Sequence, residues 1–429
     1  MTDPARFPFP PAGDVRPPDA YHDVLHARAP HPVQLSSGQP ALLVTRHEDV
    51  TAVLGDDRFS RAGYTELARP LFARKTESVL LATADAPDHT RRRRAILPAF
   101  TARQVRLLRP RLEALAEELL DELTGGAASG EADLVGGFTV PFPMRVICEV
   151  LGVPLEDGAM LRAEVDILMS TSGHTREKVA ATQARMDDYF AALVADKRRA
   201  AAAGTPADDL LTRLALRPDD DPEQRLSDRE VVSLGSGMLM AGYETTGNSF
   251  GMCVVLLLRH PTLAKTLREH PERVPATVEE MLRFSSLNNT GGAPHLVTED
   301  AELGGCPVAA GRIVVPLTDT ANRDPAVFTD PDTFDPERPD VASHVAFGYG
   351  RHLCLGAELA RAELQIGILA LLRRFEVLEL AVPEEELDWR RTMFINGVWQ
   401  LPVRWTAATV TTGTPATAAA PVPAEGPQG

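Results

Sequence analysis

The sequence predicts a mainly α fold, a large helical body built on one long central helix with a small β-rich portion. Three observations point there. Apolar residues recur at helical spacing through most of the 429 residues. The stretch from "LSDRE" to Pro261 contains no proline. Strand-like text is found mainly at 294–316 and 391–405.

Residues 1–40 are proline-rich and lack helical periodicity, so they are expected to precede the main domain, 41–406. "PALLVTRHEDVTAVLGD" reads as a short strand followed by a helix with Asp49 near its start. "RQVRLLRPRLEALAEELLDEL" spaces its leucines helically and stops at "TGGAASG". "PFPMRVICEVLGVP" is a helix bounded by prolines, and 156–200 form one or two amphipathic helices. The longest element opens on Ser227 with Glu230 three residues on, the spacing of a capping box. Roughly 30 residues make it about 45 Å long, enough to cross the molecule and be buried along much of its length. The end, 407–429, is rich in Ala, Pro and Thr; too poor in large apolar groups to order itself, it predicts a disordered tail.

Composition excludes several classes. A net charge of −16 argues against general nucleic-acid binding. Cys148, Cys253, Cys306 and Cys354 lie far apart and form no C-x-x-C pair, so neither a zinc ribbon nor a dithiol site is expected, and a reducing cytoplasm is. "SFGMCVVLLL" is about half the length needed to cross a bilayer, and the start lacks a secretory pattern. No membrane association is expected. Within this acidic chain "HTRRRRAILPAFTARQVRLLRPR" is strongly cationic: either a solvated helix face or a docking surface for something anionic.

Four stretches carry chemistry. In "FGYGRHLCLG", Gly348 and Gly350 permit positive φ, and a helix begins directly after Cys354. That places the sulfur at a helix N-terminus, where free N–H groups favour an anion and lower the thiol pKa. Gly356 leaves room for a flat ligand, and Phe347 can cover the sulfur. The pattern F-x-x-G-x-x-x-C-x-G points to an iron thiolate over a structural cysteine. In "AGYETTGN", Ala241 and Gly242 let a planar group approach the helix, and Glu244 beside Thr245 sets a carboxylate next to a hydroxyl; tight helix packing explains the small residues equally well. A threonine bonding back to an earlier carbonyl could bend and widen this helix. In "VEEMLRF", Glu280 and Arg283 share a helix face and, if buried, could anchor the loop at 321–340 together with Arg338. In "HTRRR", His89 and Arg93 stand one turn apart and could clasp a carboxylate, although a solvated face accounts for them too.

Together, in this order, the stretches resemble the cytochrome P-450 family of heme-thiolate monooxygenases, across roughly 40 to 406. The soluble form is similar to bacterial, particularly actinobacterial, biosynthetic enzymes. The resemblance implies the cytochrome P-450 fold and heme b, with Cys354 as the iron ligand. It implies that Glu244 and Thr245 deliver protons during oxygen activation, and that the propionates meet His89, Arg93 and His352. The family's arginine after the E-x-x-R helix is absent, and His295 stands in its place. Glu280, Arg283 and Arg338 would be structural.

With no flavin or iron–sulfur domain in the chain, electrons would come from NAD(P)H through a ferredoxin reductase and a ferredoxin. Arg92 and Arg103 are expected ferredoxin contacts on a basic face. The substrate is expected to be a sizeable natural product, macrolide-like, from secondary metabolism. Its pocket would include Leu80, Leu81, Met169, Met240, Asn289, Thr290 and Phe394. Two alternatives stay open: oxidative coupling or ring closure on the same fold, and a non-catalytic heme or small-molecule binding protein.

Overall fold

The computed structural model describes residues 5–25, 29–67, 81–217 and 225–408. The tail from 409 onward and Leu80 lie outside the described residues. The chain opens with β1 (Ala5–Phe7), α1 (Ala20–Leu25), β2 (His31–Leu35), β3 (Pro40–Val44) and α2 (His47–Gly55). The proline-rich opening thus contributes strands to the body of the protein. β4 (Phe59–Ser60) leads directly into α3 (Arg61–Leu67), and α4 (Asp88–Ile96) carries the arginine run.

α5 (Ala102–Thr124) ends where Gly125 adopts a left-handed conformation, φ 56°, and its amide closes on Asp121. β5 (Ser129–Asp133), α6 (Pro141–Leu151), α7 (Gly158–Met169), α8 (Arg176–Ala202) and α9 (Leu210–Ala215) follow. The central helix α10 (Asp228–Arg259) runs 32 residues. Its start is set by the capping box read from the sequence: the Ser227 side chain accepts from the Glu230 amide, and the Glu230 carboxylate accepts from the Ser227 amide. It packs on α6, α8 and α14, which accounts for its nearly continuous burial beyond Tyr243.

After α11 (Pro261–Glu269) and α12 (Val274–Phe284) come β6 (His295–Val297), β7 (Ala301–Leu303), β8 (Cys306–Val308), β9 (Ile313–Pro316) and the single turn α13 (Thr318–Ala321). α14 (Ala357–Arg374), β10 (Phe375–Leu380) and β11 (Pro402–Ala407) complete the fold. The six-stranded sheet has the order β1-β2-β3-β9-β6-β4. Its last pair is antiparallel, with Phe59 opposite Val297 and Ser60 opposite Leu296. That register carries Arg61 to the side of His295. The second sheet, β10-β11-β5, joins three distant segments. Residues 391–401, expected as strand, instead form a turn pinned by isolated bridges at Met393, Ile395 and Val398. Among the described residues no helix is long and apolar enough to cross a membrane.

Candidate active site around Cys354

The loop before α14 folds back on itself. The Cys354 amide donates to the Phe347 carbonyl at 2.8 Å, closing a turn that holds the sulfur just ahead of the helix. Gly350 makes this possible: it has φ 67°, and a Cβ there would stand 2.6 Å from the Leu54 carbonyl of α2. Gly348 is also left-handed, φ 77°. The Phe347 ring lies beneath the Arg361 guanidinium at 4.5 Å. A cavity of about 300 Å³ opens between this loop and α10. Phe347, Cys354 and Gly356 form one wall, and Ala241, Gly242 and Thr245 form the facing one. A Cβ at Gly356 would meet nothing within 4 Å.

Cys354 is exposed by area where it lines the cavity, yet the protein packed around it raises the thiol pKa from its ordinary value, desolvation outweighing the Gly356 amide and the charges of Arg93 and Arg361 that favour the anion. This corrects the expectation of a lowered thiol pKa, because desolvation exceeds what the helix start supplies. A coordinated metal, which deprotonates a thiol outright, would hold the sulfur as thiolate.

On α10 the Thr245 hydroxyl donates to the Ala241 carbonyl at 2.6 Å. The helix stays α throughout, so this bond does not change its type. A Cβ on Gly242 would stand 2.7 Å from Ile147 of α6. Helix packing therefore requires this glycine, even though it also borders the cavity. Glu244 does not line the cavity. It is buried on another side of α10, where Arg390 Nη2 donates to its Oε1 at 2.5 Å. Burial raises its pKa to about 7, against the opposing pull of Arg390.

A cationic cluster stands beside the cysteine loop. The rings of His89 and His352 are 4.2 Å apart, and both Nε2 atoms are buried without a partner. Burial, with nearby arginines that include Arg61 and Arg351, lowers His89 to about 4 and His352 to about 2. Arg93 is close enough for its charge to favour the Cys354 anion. Sequence reasoning missed Arg61, whose Nε donates to His295 Nε2 at 3.1 Å and whose own pKa burial lowers to about 10. His295 is thereby held neutral as an acceptor. Buried donors with unpaired nitrogens fit a ligand that brings acid groups to this corner. With a thiol on one wall and room for a flat ring above Gly356, the residues fit heme. Glu363 was also missed: it lines the cavity from α14, its Oε2 is unpartnered, and burial pushes its pKa well up.

The E-x-x-R residues form a fully buried knot. Arg283 donates to both Glu280 oxygens, at 2.7 and 2.8 Å, and Arg338 Nε reaches both at 3.1 and 3.2 Å. Their remaining nitrogens donate to the carbonyls of Asn322, Thr329, Pro331 and Thr333, holding the 321–340 loop.

The expected substrate residues divide. Leu81 begins a one-turn helix and is partly buried. Met169 sits at the end of α7, and its carbonyl accepts from the Phe394 amide at 2.9 Å. The Asn289 side chain donates to the Arg390 and Met393 carbonyls, both at 2.9 Å, so it braces a turn. Thr290 is buried with its hydroxyl unpaired. The cavity beside Cys354 is lined by Met238 and Asn288 among others, and Met240 and Asn289 are their near neighbours in the chain. Arg92 is corrected as a partner contact: it is buried and donates to Glu230 at 2.9 Å. Arg103 and Arg94 are exposed.

Known proteins are similar to this chain over nearly its whole length. The family model for cytochrome P-450 matches residues 155–397. Nocardicin C N-oxygenase of Nocardia uniformis subsp. tsuyamanensis is 42% identical, covering 94% of this chain and 99% of its own. Mycinamicin IV hydroxylase/epoxidase of Micromonospora griseorubida is 37% identical, with shares of 94% and 99%. Among solved structures, a cytochrome P-450 with biaryl coupling reactivity superposes with TM-score 0.86 at 33% identity, over 93% of this chain and 99% of that one. Similarity running the whole length of the fold, through the cysteine loop and its facing helix, makes this chain a heme-binding monooxygenase of the cytochrome P-450 family.

Proposed function

We propose that this monooxygenase inserts one oxygen atom into a C–H or C=C bond of a sizeable, macrolide-like natural product, drawing electrons from NAD(P)H through a ferredoxin reductase and a ferredoxin. The observation that carries the reading is the cavity itself, with Cys354 on one wall and Thr245 on the other. Heme bound between those walls, its iron on the Cys354 sulfur, supplies dioxygen activation, which a thiolate ligand favours.

The chain's own residues do the rest. His89, Arg93 and His352, joined by Arg61 beside His295, hold the two acid groups at the cavity's edge. Ala241, Gly242, Gly348 and Gly356 leave room for the ring, and Phe347 excludes water from the sulfur. Thr245 holds a proton at its hydroxyl on the cavity side, and Glu244 holds one behind it. Asn288 gives the mostly apolar wall a polar group to orient the substrate. The exposed Arg94 and Arg103 offer an acidic ferredoxin its docking charges. A cytoplasmic location belongs to the same reading, and the domain, expected over 41–406, takes in the strands β1 and β2 before it.

Thr245→Ala should cut product formed per NAD(P)H by about tenfold, with the lost electrons appearing as peroxide. Unchanged coupling would remove Thr245 from the scheme. The structural relative with biaryl coupling reactivity favours a second reading, oxidative coupling without oxygen insertion. Labelled dioxygen separates the two, since only insertion leaves the label in the product.

A further inference from the structure

Arg390 is buried at 1% exposure and joins three parts of the fold. It belongs to the 389–397 turn, where its amide donates to the Gly397 carbonyl and its own carbonyl accepts from Asn289. Its guanidinium stacks on Trp399 at 4.3 Å, which leaves Nε without a partner and fixes the plane of the fork. One nitrogen, Nη2, then serves two carboxylates: Glu244 of the central helix at 2.5 Å and Asp166 of α7 at 3.3 Å.

α7 is fastened to the same turn at its end. The Phe394 amide donates to the Met169 carbonyl, and the amide and hydroxyl of Thr171 both donate to the Thr392 carbonyl. The turn therefore holds α7 by its backbone, while Arg390 reads α7 through Asp166.

We propose that Arg390 is a positioning residue that couples the seating of α7 to the charge on Glu244, by sharing one guanidinium nitrogen between the two helices. With α7 seated, Asp166 competes for Nη2 and its negative charge favours a proton on Glu244. With α7 withdrawn, the guanidinium belongs to Glu244 alone, and the proton leaves for solvent. The other groups facing Glu244 are Arg162, also on α7, whose charge favours the anion, and the neighbouring Tyr243 hydroxyl, which points to the Arg162 carbonyl. Asp166 outweighs Arg162 because it shares the very nitrogen that binds Glu244, so seating α7 lets Glu244 keep its proton. The consequence for proton supply rests on reading Glu244 as a proton-handling group of the cavity, but the coupling can be measured without turnover.

The test uses the heme-loaded protein and infrared difference spectra against Glu244→Gln, which isolate the Glu244 carboxyl stretch. Asp166→Asn should move that band's titration to lower pH by roughly one unit. It should also raise amide exchange several-fold at 164–171 and 389–397. Arg390→Lys keeps a charge but not the fork; it should move the titration upward while raising exchange in the same segments. A band that stays in place in Asp166→Asn, or moves upward, overturns the proposal whatever exchange does. Unchanged exchange in both variants overturns it too. Failure of the monooxygenase reading would show instead in the product assay, with these spectra unaffected.

Discussion

Around Glu280 every charged group meets its complement, whereas around His89 and His352 buried donors face one another and their Nε2 atoms meet nothing. Both clusters are out of solvent and rich in arginine. The first is closed: one carboxylate receives two guanidiniums, and the leftover N–H groups end on loop carbonyls. The second is open, and its histidines are driven neutral by burial and by surplus positive charge. A saturated buried charge network reports a structural duty. An unsaturated one reports a missing ligand, because leaving it unpaired costs free energy that only a partner returns.

This contrast can be tested by breaking each side. Glu280→Ala leaves two buried arginines uncompensated and should cost about 3–5 kcal/mol, seen as loss of folded protein in thermal melts with or without heme. Arg61→Ala should do the reverse. The heme-free protein should melt no lower, since a crowded cation is gone, while heme transfer to an acceptor globin speeds up by about tenfold. An equal loss of stability in both forms would return Arg61 to the structural class.

The smallest effect concerns pH. Burial raises the folded pKa of Glu244 to about 7 from an ordinary 4.5. The folded state therefore binds the proton more tightly than the unfolded chain does. This contribution is fully present below about pH 4.5 and is lost as pH rises through 7. Glu244→Gln should flatten that part of the stability profile by on the order of 1 kcal/mol, read from melts of both proteins across pH 5–8.

Legibility followed sequence distance. The cap of α10, its end before Pro261 and the left-handed glycines of the cysteine loop depend on neighbours a few residues away, and each could be read directly. The Glu280 knot needed only its own helix and one proline-punctuated loop. Arg61 could not be found this way, because only the pairing of β4 with β6 brings it to His295. Arg390 gave no local sign in "WRRT", and Glu244 turned toward it rather than to the cavity. Glu363 did leave a trace: it falls among Leu359, Ala362 and Ile366 on a face too apolar for an acid.

α4 divides its labour at single-residue resolution. His89 and Arg93 point toward the cysteine loop, Arg91 and Arg92 grip Glu230 at the start of α10, and Arg94 faces outward. Each added residue turns a helix by about 100°. One inserted or deleted amino acid between 89 and 94 would rotate anchoring arginines into the ligand's corner and ligand-facing ones onto the central rod. Evolution can therefore exchange side chains here one at a time, but it cannot slide the frame.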